Sequence, residues 1–384
     1  MTQNVGWALP PYDVTLADTL PAALASMGVE LPSQAEIGRR TGLSLPTARN
    51  VVVVLADGLG AAQLERRRGH AAFLRNLKSA ASEVRCGFPS TTSVSLSSLG
   101  TGRLPGEHGI TAWQTKVPGA DRLLNHLSWA DGPDPRAYQP VKTLLQEADE
   151  AGVHVTTVSQ PQFQGSGLTT AALQGGDFVG VAKIDQRVPT VARCLRAQDN
   201  HHLVYLYWPE IDKAGHVYGP DSQEWTGALE VFDAAMAQLS RSLPPETLLV
   251  ITADHGMIEA PPAQRYDLVE RSELAQDVLL LGGEPRAPYV YVAPGQQAAV
   301  KARWTEVLGD DAYVVDRDEA VERGWYGPMR DGVLERLGDL IVLMRGRATV
   351  VDSSALRPNL LALPGLHGSV TDEESLIPML TYLS

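Results

Sequence analysis

The chain has 384 residues, 44% hydrophobic and 20% charged, an ordinary balance for a globular protein long enough to bury a large core. Its formal net charge of -13 argues against a nucleic-acid polymer as obligate partner, because duplex binding needs a basic face. An acidic protein that acts on phosphates must neutralise them locally, and metal ions do that.

The basic run Arg66-Arg67-Arg68 sits in a helical context and reads as a solvated face. Cys86 and Cys194 are far apart and match no zinc or redox spacing. They read as thiols of a reducing compartment, with a single disulfide left open. Met1 to Trp7 carries no basic residue before an apolar run, and Pro10, Pro11, Asp13 and Asp18 interrupt the next stretch. No signal peptide is expected, and no stretch approaches the roughly 20 apolar residues of a membrane span. The expectation is a cytoplasmic protein without a membrane partner.

Residues 1–48 read as an N-terminal wrap with one short helix over 20–27. Residues 50–56 (Asn-Val-Val-Val-Val-Leu-Ala) form a β-branched run of the kind found in strands buried on both faces, which implies a parallel or mixed sheet under helices. The run ends at Asp57-Gly58-Leu59-Gly60, before a helix predicted over 61–80. A carboxylate at the end of such a strand lies where open α/β sheets keep their ligand sites; alone, Asp57 would read as a helix cap.

Residues 88–102, Phe-Pro-Ser-Thr-Thr-Ser-Val-Ser-Leu-Ser-Ser-Leu-Gly-Thr-Gly, are crowded with hydroxyls. Val94, Leu96 and Leu99 among small residues, stopping at Gly100 and Gly102, predict a short buried helix. A hydroxyl in its first turn meets unpaired backbone N–H groups and the positive end of the dipole, a good place for a nucleophile facing phosphate. A turn-rich loop holds Pro105-Gly106-Glu107-His108-Gly109-Ile110. A helix over 141–151 and a strand over 153–159 give a βαβ rhythm, with His154 read as a sheet residue and 160–176 as a loop.

Residues 203–207 read as a second buried strand, opening into Asp212-Lys213-Ala214-Gly215-His216. Asp212 and His216 are four apart, on one face of a helical turn, as two ligands of one metal should be. A helix over 223–243 reads as packing, and 248–253 as a third buried strand ending in Asp254-His255-Gly256. Residues 258–346 are broken by Pro, Gly and charge clusters, with short strands at 289–292 and 340–343. They read as a cap or insertion within a single catalytic domain spanning 1–384. Leu366-His367-Gly368 precedes a helix predicted over 374–383 and fits a late-arriving ligand.

The candidates divide into two sets, Asp57, Thr92, Asp254 and His255, and Asp212, His216 and His367. Mixed carboxylate and imidazole donors suit zinc, with manganese or iron(II) as less favoured occupants. Two such ions clamp the attacking and leaving oxygens of a phosphoryl displacement and activate a hydroxyl without a histidine base.

The ordered series Asp57, Phe88-Pro89-Ser90-Thr91-Thr92, Asp212-x-x-x-His216, Asp254-His255-Gly256 and His367-Gly368 resembles the alkaline phosphatase superfamily, and within it the type I phosphodiesterase/nucleotide pyrophosphatase family. The resemblance implies an alkaline-phosphatase-like α/β fold with a mostly parallel central sheet between helical layers, a two-zinc site and a threonine nucleophile. It places Asp57, Asp254 and His255 around the nucleophile-side zinc and Asp212, His216 and His367 around the other. The family register, ten residues before the glycine of Thr101-Gly102, selects Thr92 over Thr91. The implied reaction is hydrolysis of phosphodiester or pyrophosphate bonds in small nucleotide-like substrates, through a phosphothreonine intermediate.

There are departures from the family pattern. The asparagine that follows the family's His-Gly-Ile stretch is missing from Thr111-Ala112-Trp113-Gln114, leaving Gln114 or a backbone N–H to substitute. The family's phenylalanine-proline-asparagine after the nucleophile is replaced by Ser93-Val94-Ser95. Tyr207 and Trp113 are candidate substrate contacts. The alternative activity is phosphomonoester or phosphonate hydrolysis at the same site, although no arginine stands beside Thr92 to meet the extra charge; Arg85 and Arg103 are the nearest.

Overall fold

The computed structural model describes residues 13–33, 43–196 and 201–384. Met1 to Trp7, with the reading made of them, lie outside these residues. The N-terminal segment contributes α1 (Thr19–Ser26) and leads to β1 (Asn50–Ala56), whose every residue is buried. A strand with no exposed face must be covered on both sides, and it is the centre of the sheet.

In chain order follow α2 (Thr92–Thr101), α3 (Leu144–Glu150), β2 (His154–Ser159), α4 (Gly167–Ala172), β3 (Asp177–Gly180) and α5 (Arg187–Arg196). Then come β4 (His202–Trp208), α6 (Glu210–Tyr218), α7 (Gln223–Ser240) and β5 (Thr247–Thr252). The insertion supplies β6 (Val278–Glu284), β7 (Ala287–Val292), β8 (Ala312–Asp316) and β9 (Leu340–Met344), and β10 (Met379–Leu383) closes the chain.

The main sheet has seven strands in the order Lys78–Ser79, β10, β5, β1, β4, β2, β3. The pairs β5–β1, β1–β4, β4–β2 and β2–β3 are parallel, and β10 runs antiparallel beside β5. Helices α1 to α4 pack with one another, as do α5, α6 and α7, so two helical groups flank a mostly parallel sheet. The second sheet, β6-β7-β9-β8, is antiparallel throughout. One apolar cluster of the insertion is its own, built on Trp304, Val300 and Leu340. Another joins Tyr289, Trp325 and Tyr326 to Phe88 and Ala112, so the insertion and the nucleophile loop share a core.

Three expectations need correction. The helix predicted over 61–80 is only Ala61–Arg66, followed by single turns at Arg68–His70 and Leu74–Asn76 and the strand Lys78–Ser79. The Asp233 carboxylate accepts the backbone N–H of Phe73 (3.0 Å) and Leu74 (2.8 Å), and these amides are then lost to a continuous helix. The helix predicted over 374–383 is a turn at Asp372–Ser375 and then β10. Pro378 donates no N–H and pushes Ile377 to extended backbone, so the chain leaves the helix there. The loop over 160–176 contains α4, whose N-terminus Ser166 caps by accepting from the Thr169 N–H. Cys86 and Cys194 are both free thiols, the first buried and the second half-buried. Among the described residues no helix is long and apolar enough to cross a membrane.

Helix α2 reaches its place because its far end is small. A Cβ at Gly100 would lie 1.7 Å from the Ala172 carbonyl oxygen of α4. Gly100→Ala is expected to force the two helices apart and cost about 1–3 kcal/mol, the usual range for overpacking. Thermal unfolding reads the loss, and an unchanged Tm counts against this contact as a constraint.

Candidate active site

The three central strands β5, β1 and β4 run in the same direction, and their C-terminal ends lie side by side. Asp57 follows β1, Asp254 and His255 follow β5, and Asp212 and His216 stand on α6 just after β4. Sequence-distant groups thus meet because the strands that carry them are neighbours. Gly58 lets the ends close up. Its φ is +72°, and a Cβ there would come within 2.8 Å of the Asp212 Cα. Its N–H donates to Asp254 Oδ1 at 3.1 Å, and the Tyr207 hydroxyl donates to Asp57 Oδ2.

The charged residues form two groups, Asp57, Asp254 and His255, and Asp212, His216 and His367. Within each, one donor atom per side chain lies within 4.8 Å of the others. His255 Nε2 is 3.5 Å from both Asp57 Oδ1 and Asp254 Oδ2, and His216 Nε2 is 3.4 Å from Asp212 Oδ1. Each imidazole is oriented through its other nitrogen. Nδ1 of His216, His255 and His367 faces the carbonyl of Gly365 (2.8 Å), Gly256 (2.9 Å) and Ser90 (2.7 Å) respectively. A carbonyl only accepts, so each Nδ1 carries the proton and each Nε2 presents a lone pair.

Asp57 Oδ1, Asp212 Oδ1 and Asp254 Oδ2 are buried and accept no hydrogen bond among the described residues. Such atoms are costly unless something positive meets them. Carboxylate oxygens and imidazole Nε2 atoms converging in this way fit divalent transition-metal ions, zinc among them. Burial pushes the Asp212 carboxyl up to about 7, and burial together with the neighbouring acids raises Asp57 and Asp254. Burial lowers His255 to about 4, and burial together with the adjacent imidazoles holds His367 well below the ordinary imidazole value. The His255 and His367 rings stack with centroids 3.6 Å apart, which brings the two groups together.

Thr92 is the first residue of α2, after Thr91 in extended backbone. Its Oγ1 lies 3.1 Å from His255 Nε2, at the positive end of the helix dipole. Ser90 ties this loop to the His367 loop, accepting the Gly368 N–H (3.1 Å) on Oγ and donating to the Ser369 carbonyl (2.6 Å). Buried His108 pins α2 from behind: its Nδ1 accepts the Ile110 N–H, so its Nε2 donates to Ser98 Oγ at 3.1 Å. The role of Pro105 to Ile110 is therefore to hold the helix.

These groups open on a cavity of about 480 Å³ lined by Asp57, Thr91, Thr92, Asp212, His216 and His367. Of the candidate substrate contacts, Trp113 and Tyr207 line it and Gln114 does not. Gln114 begins a strand with Thr115 and Lys116, and alternation on a strand turns it away from the side Trp113 serves. Two features were not foreseen. Glu284, at the end of β6, lines the cavity with its carboxyl buried, and a wall of leucines arrives from residues 356–366. The only sequence signal for Glu284 was an acid after Gly282-Gly283 in a segment without clear periodicity.

Residues 51–369 match the family model described as type I phosphodiesterase / nucleotide pyrophosphatase. Among curated relatives, a phosphopentomutase of Symbiobacterium thermophilum is 32% identical over 124 residues, covering 31% of this chain and 29% of the relative. The rat ectonucleotide pyrophosphatase/phosphodiesterase family member 7 is 32% identical over 115 residues, covering 28% of this chain and 26% of the relative. The matches thus span under a third of these relatives' own length. Among solved structures, murine ectonucleotide pyrophosphatase / phosphodiesterase 5 superposes with a TM-score of 0.70 at 20% identity, covering 86% of this chain and 87% of that one. Phosphonoacetate hydrolase from Sinorhizobium meliloti 1021, in complex with phosphonoformate, gives 0.65 at 21%, covering 90% and 92%. These likenesses establish the alkaline-phosphatase-like fold, and with the family match over most of its length, the chain belongs to the type I phosphodiesterase / nucleotide pyrophosphatase family.

Proposed function

We propose that the protein hydrolyses phosphodiester or pyrophosphate bonds of small nucleotide-like substrates, with Thr92 as nucleophile and two divalent cations, zinc in the first place. The observation that carries this reading is the position of Thr92 Oγ1, at a helix N-terminus and 3.1 Å from His255 Nε2 in one of two adjoining carboxylate–imidazole groups. Asp57, Asp254, His255 and Thr92 would hold one cation, and Asp212, His216 and His367 the other. When bound, such ions neutralise phosphoryl charge and lower the pKa of the hydroxyl or water they meet.

The remaining steps belong to the chain. The N-terminus of α2 points its free N–H groups at the phosphoryl oxygens, where negative charge is favoured. Thr92 Oγ1 attacks phosphorus in line, its proton is given up to solvent, and the bond to the leaving oxygen breaks. Water then attacks the resulting phosphothreonine ester, the phosphorus–Oγ1 bond breaks, and Thr92 recovers its proton. Phe163 stacks edge-on against Tyr207, with centroids 5.7 Å apart, and both rings line the cavity where a base or other flat group would rest.

The charges around the cavity support a diester over the phosphomonoester or phosphonate alternative. Its lining contains two cationic side chains, Lys213 and Arg265. Lys213 is exposed, and Arg265 donates to the Leu361 carbonyl at 2.7 Å. On the wall near Thr91 stands the Glu284 carboxyl, so no fixed cation offsets a second phosphoryl charge there.

Thr92→Ala is expected to lower kcat on bis(p-nitrophenyl) phosphate by at least about a thousandfold, as removal of a nucleophile does, while metal analysis still finds both ions. Turnover at the wild-type rate removes Thr92 from the chemistry. A parallel assay on p-nitrophenyl phosphate should favour the diester, and the reverse preference selects the alternative.

Zinc or manganese added to chelated protein is expected to raise its Tm, because a ligand at about 100 times its Kd stabilises by about 2.7 kcal/mol. Asp254→Asn should abolish most of that rise. A full rise in this variant would show that the ions bind elsewhere.

A further inference from the structure

Glu284 has no part in the chemistry derived above, yet it faces the same cavity. It closes β6 and is 4% exposed. Its Oε1 accepts the Trp113 N–H at 2.6 Å, and the Thr91 side chain helps to hold the same carboxyl. Its Oε2 is buried and has no hydrogen-bond partner among the described residues. The position is crowded on the far side: a Cβ at Gly368 would lie 2.7 Å from the Glu284 Cβ. The carboxyl is therefore fixed, with one oxygen occupied and the other free.

Among the described residues no positive group accounts for it. Arg286, two residues on, turns its guanidinium to Glu374, with bonds of 3.1 and 2.8 Å. The Tyr289 hydroxyl donates its proton to the Thr111 carbonyl (2.7 Å). From the loop of Gly368 the nearest titratable side chain is His367, whose proton sits on Nδ1 against Ser90. Across the cavity stand Asp57 and Asp212. An ionised Glu284 would add a negative charge to a wall that must receive an anion, and burial pushes this carboxyl up to about 8.

We propose that Glu284 acts as a neutral carboxylic acid whose Oε2–H donates a hydrogen bond to a non-bridging oxygen of the bound phosphoryl group. This rests on the phosphoryl-transfer reading above. Glu284 thereby supplies a donor where the family's asparagine is missing from Thr111-Ala112-Trp113-Gln114, and it does so while anchored to the backbone of that stretch. Such a donor suits a singly charged diester and loses its proton, and its use, in alkaline solution.

The test compares metal-loaded wild type, Glu284→Gln and Glu284→Ala. Glu284→Ala should lose about a hundredfold in kcat/KM on bis(p-nitrophenyl) phosphate, the effect of one missing donor to a developing oxyanion. Glu284→Gln, which keeps an N–H donor and an acceptor, should lose less than about tenfold and lack the alkaline fall in rate that wild type shows. Calorimetric titration with inorganic phosphate should follow the same order. Equal losses in both variants, or no loss in Glu284→Ala, overturn the proposal.

Stability gives a reading that needs no substrate. A carboxyl with a raised folded-state pKa contributes stability that is present below its ordinary pKa and lost as pH rises through the folded value. The Tm of Glu284→Gln should therefore gain on wild type between about pH 6 and about pH 9. An equal difference at both pH values shows an ionised Glu284 and overturns the proposal. A wild type without diesterase activity instead defeats the proposed function, and the phosphate titration and Tm difference still decide the protonation and contact of Glu284.

Discussion

Burying like charges together is the constraint on which this structure turns. Asp57, Asp212 and Asp254 are held at one end of one sheet, and each carries an oxygen that accepts no hydrogen bond among the described residues. Alone, such a cluster opposes folding, because desolvation and mutual repulsion both act against the ionised forms. The fold tolerates it because the remaining structure is strongly determined. Val51 to Val54 of β1 are fully buried, and the carboxylates ride on the ends of strands that cannot shift without opening this core. Three imidazoles with their protons tied to carbonyls add lone pairs, not charge, and the result is a donor set tuned to dications.

The insertion is coupled to that site by a second buried charge, this time a paired one. Arg286 and Glu374 are both fully buried, and the guanidinium also donates to the carbonyls of Met344, Arg345 and Ala348. Glu374 in turn accepts the Ser369 N–H at 3.0 Å and the Thr371 hydroxyl at 2.6 Å. A buried ion pair adds little stability beyond that of an apolar replacement, but it fixes geometry when every donor and acceptor is satisfied. Here it joins the β6–β7 hairpin and β9 to the loop that carries His367. Residues 258–346 are thus tied to the position of a candidate ligand.

The parts of the fold that could be read from the sequence are those with a single physical driver. The run of valines in β1, the apolar strands β4 and β5, and the glycine after each acidic strand end admit few alternatives, and their neighbouring placement follows from parallel packing. The helix that begins at Thr92 was legible because small residues, apolar spacing and glycine stop agree, whereas the choice of Thr92 over Thr91 came from the family register. What the sequence hid depends on partners distant in the chain. The break after Arg66 needs the Asp233 carboxylate, which lies on α7. Glu284 and the leucine wall belong to segments whose periodicity is interrupted by Gly and Pro, and only tertiary contacts place them. Gln114, next to Trp113 in the chain, does not line the cavity, because strand alternation sets its direction.

The cavity's two sides arise from different parts of the molecule, and this separates reaction from selection. Asp57, Thr92, Asp212, His216 and His367 come from the ends of the parallel sheet and the loops locked to it. Leu356, Leu360, Leu361, Leu363 and Leu366 come from the connection between the insertion and the His367 loop. As proposed metal ligands and nucleophile, the first set would be held to a narrow geometry. The second has only to exclude water and present apolar surface, so it can vary without disturbing the first. On the proposed function, the chemistry would sit at the strand ends, and the apolar segments between them would meet the rest of the substrate.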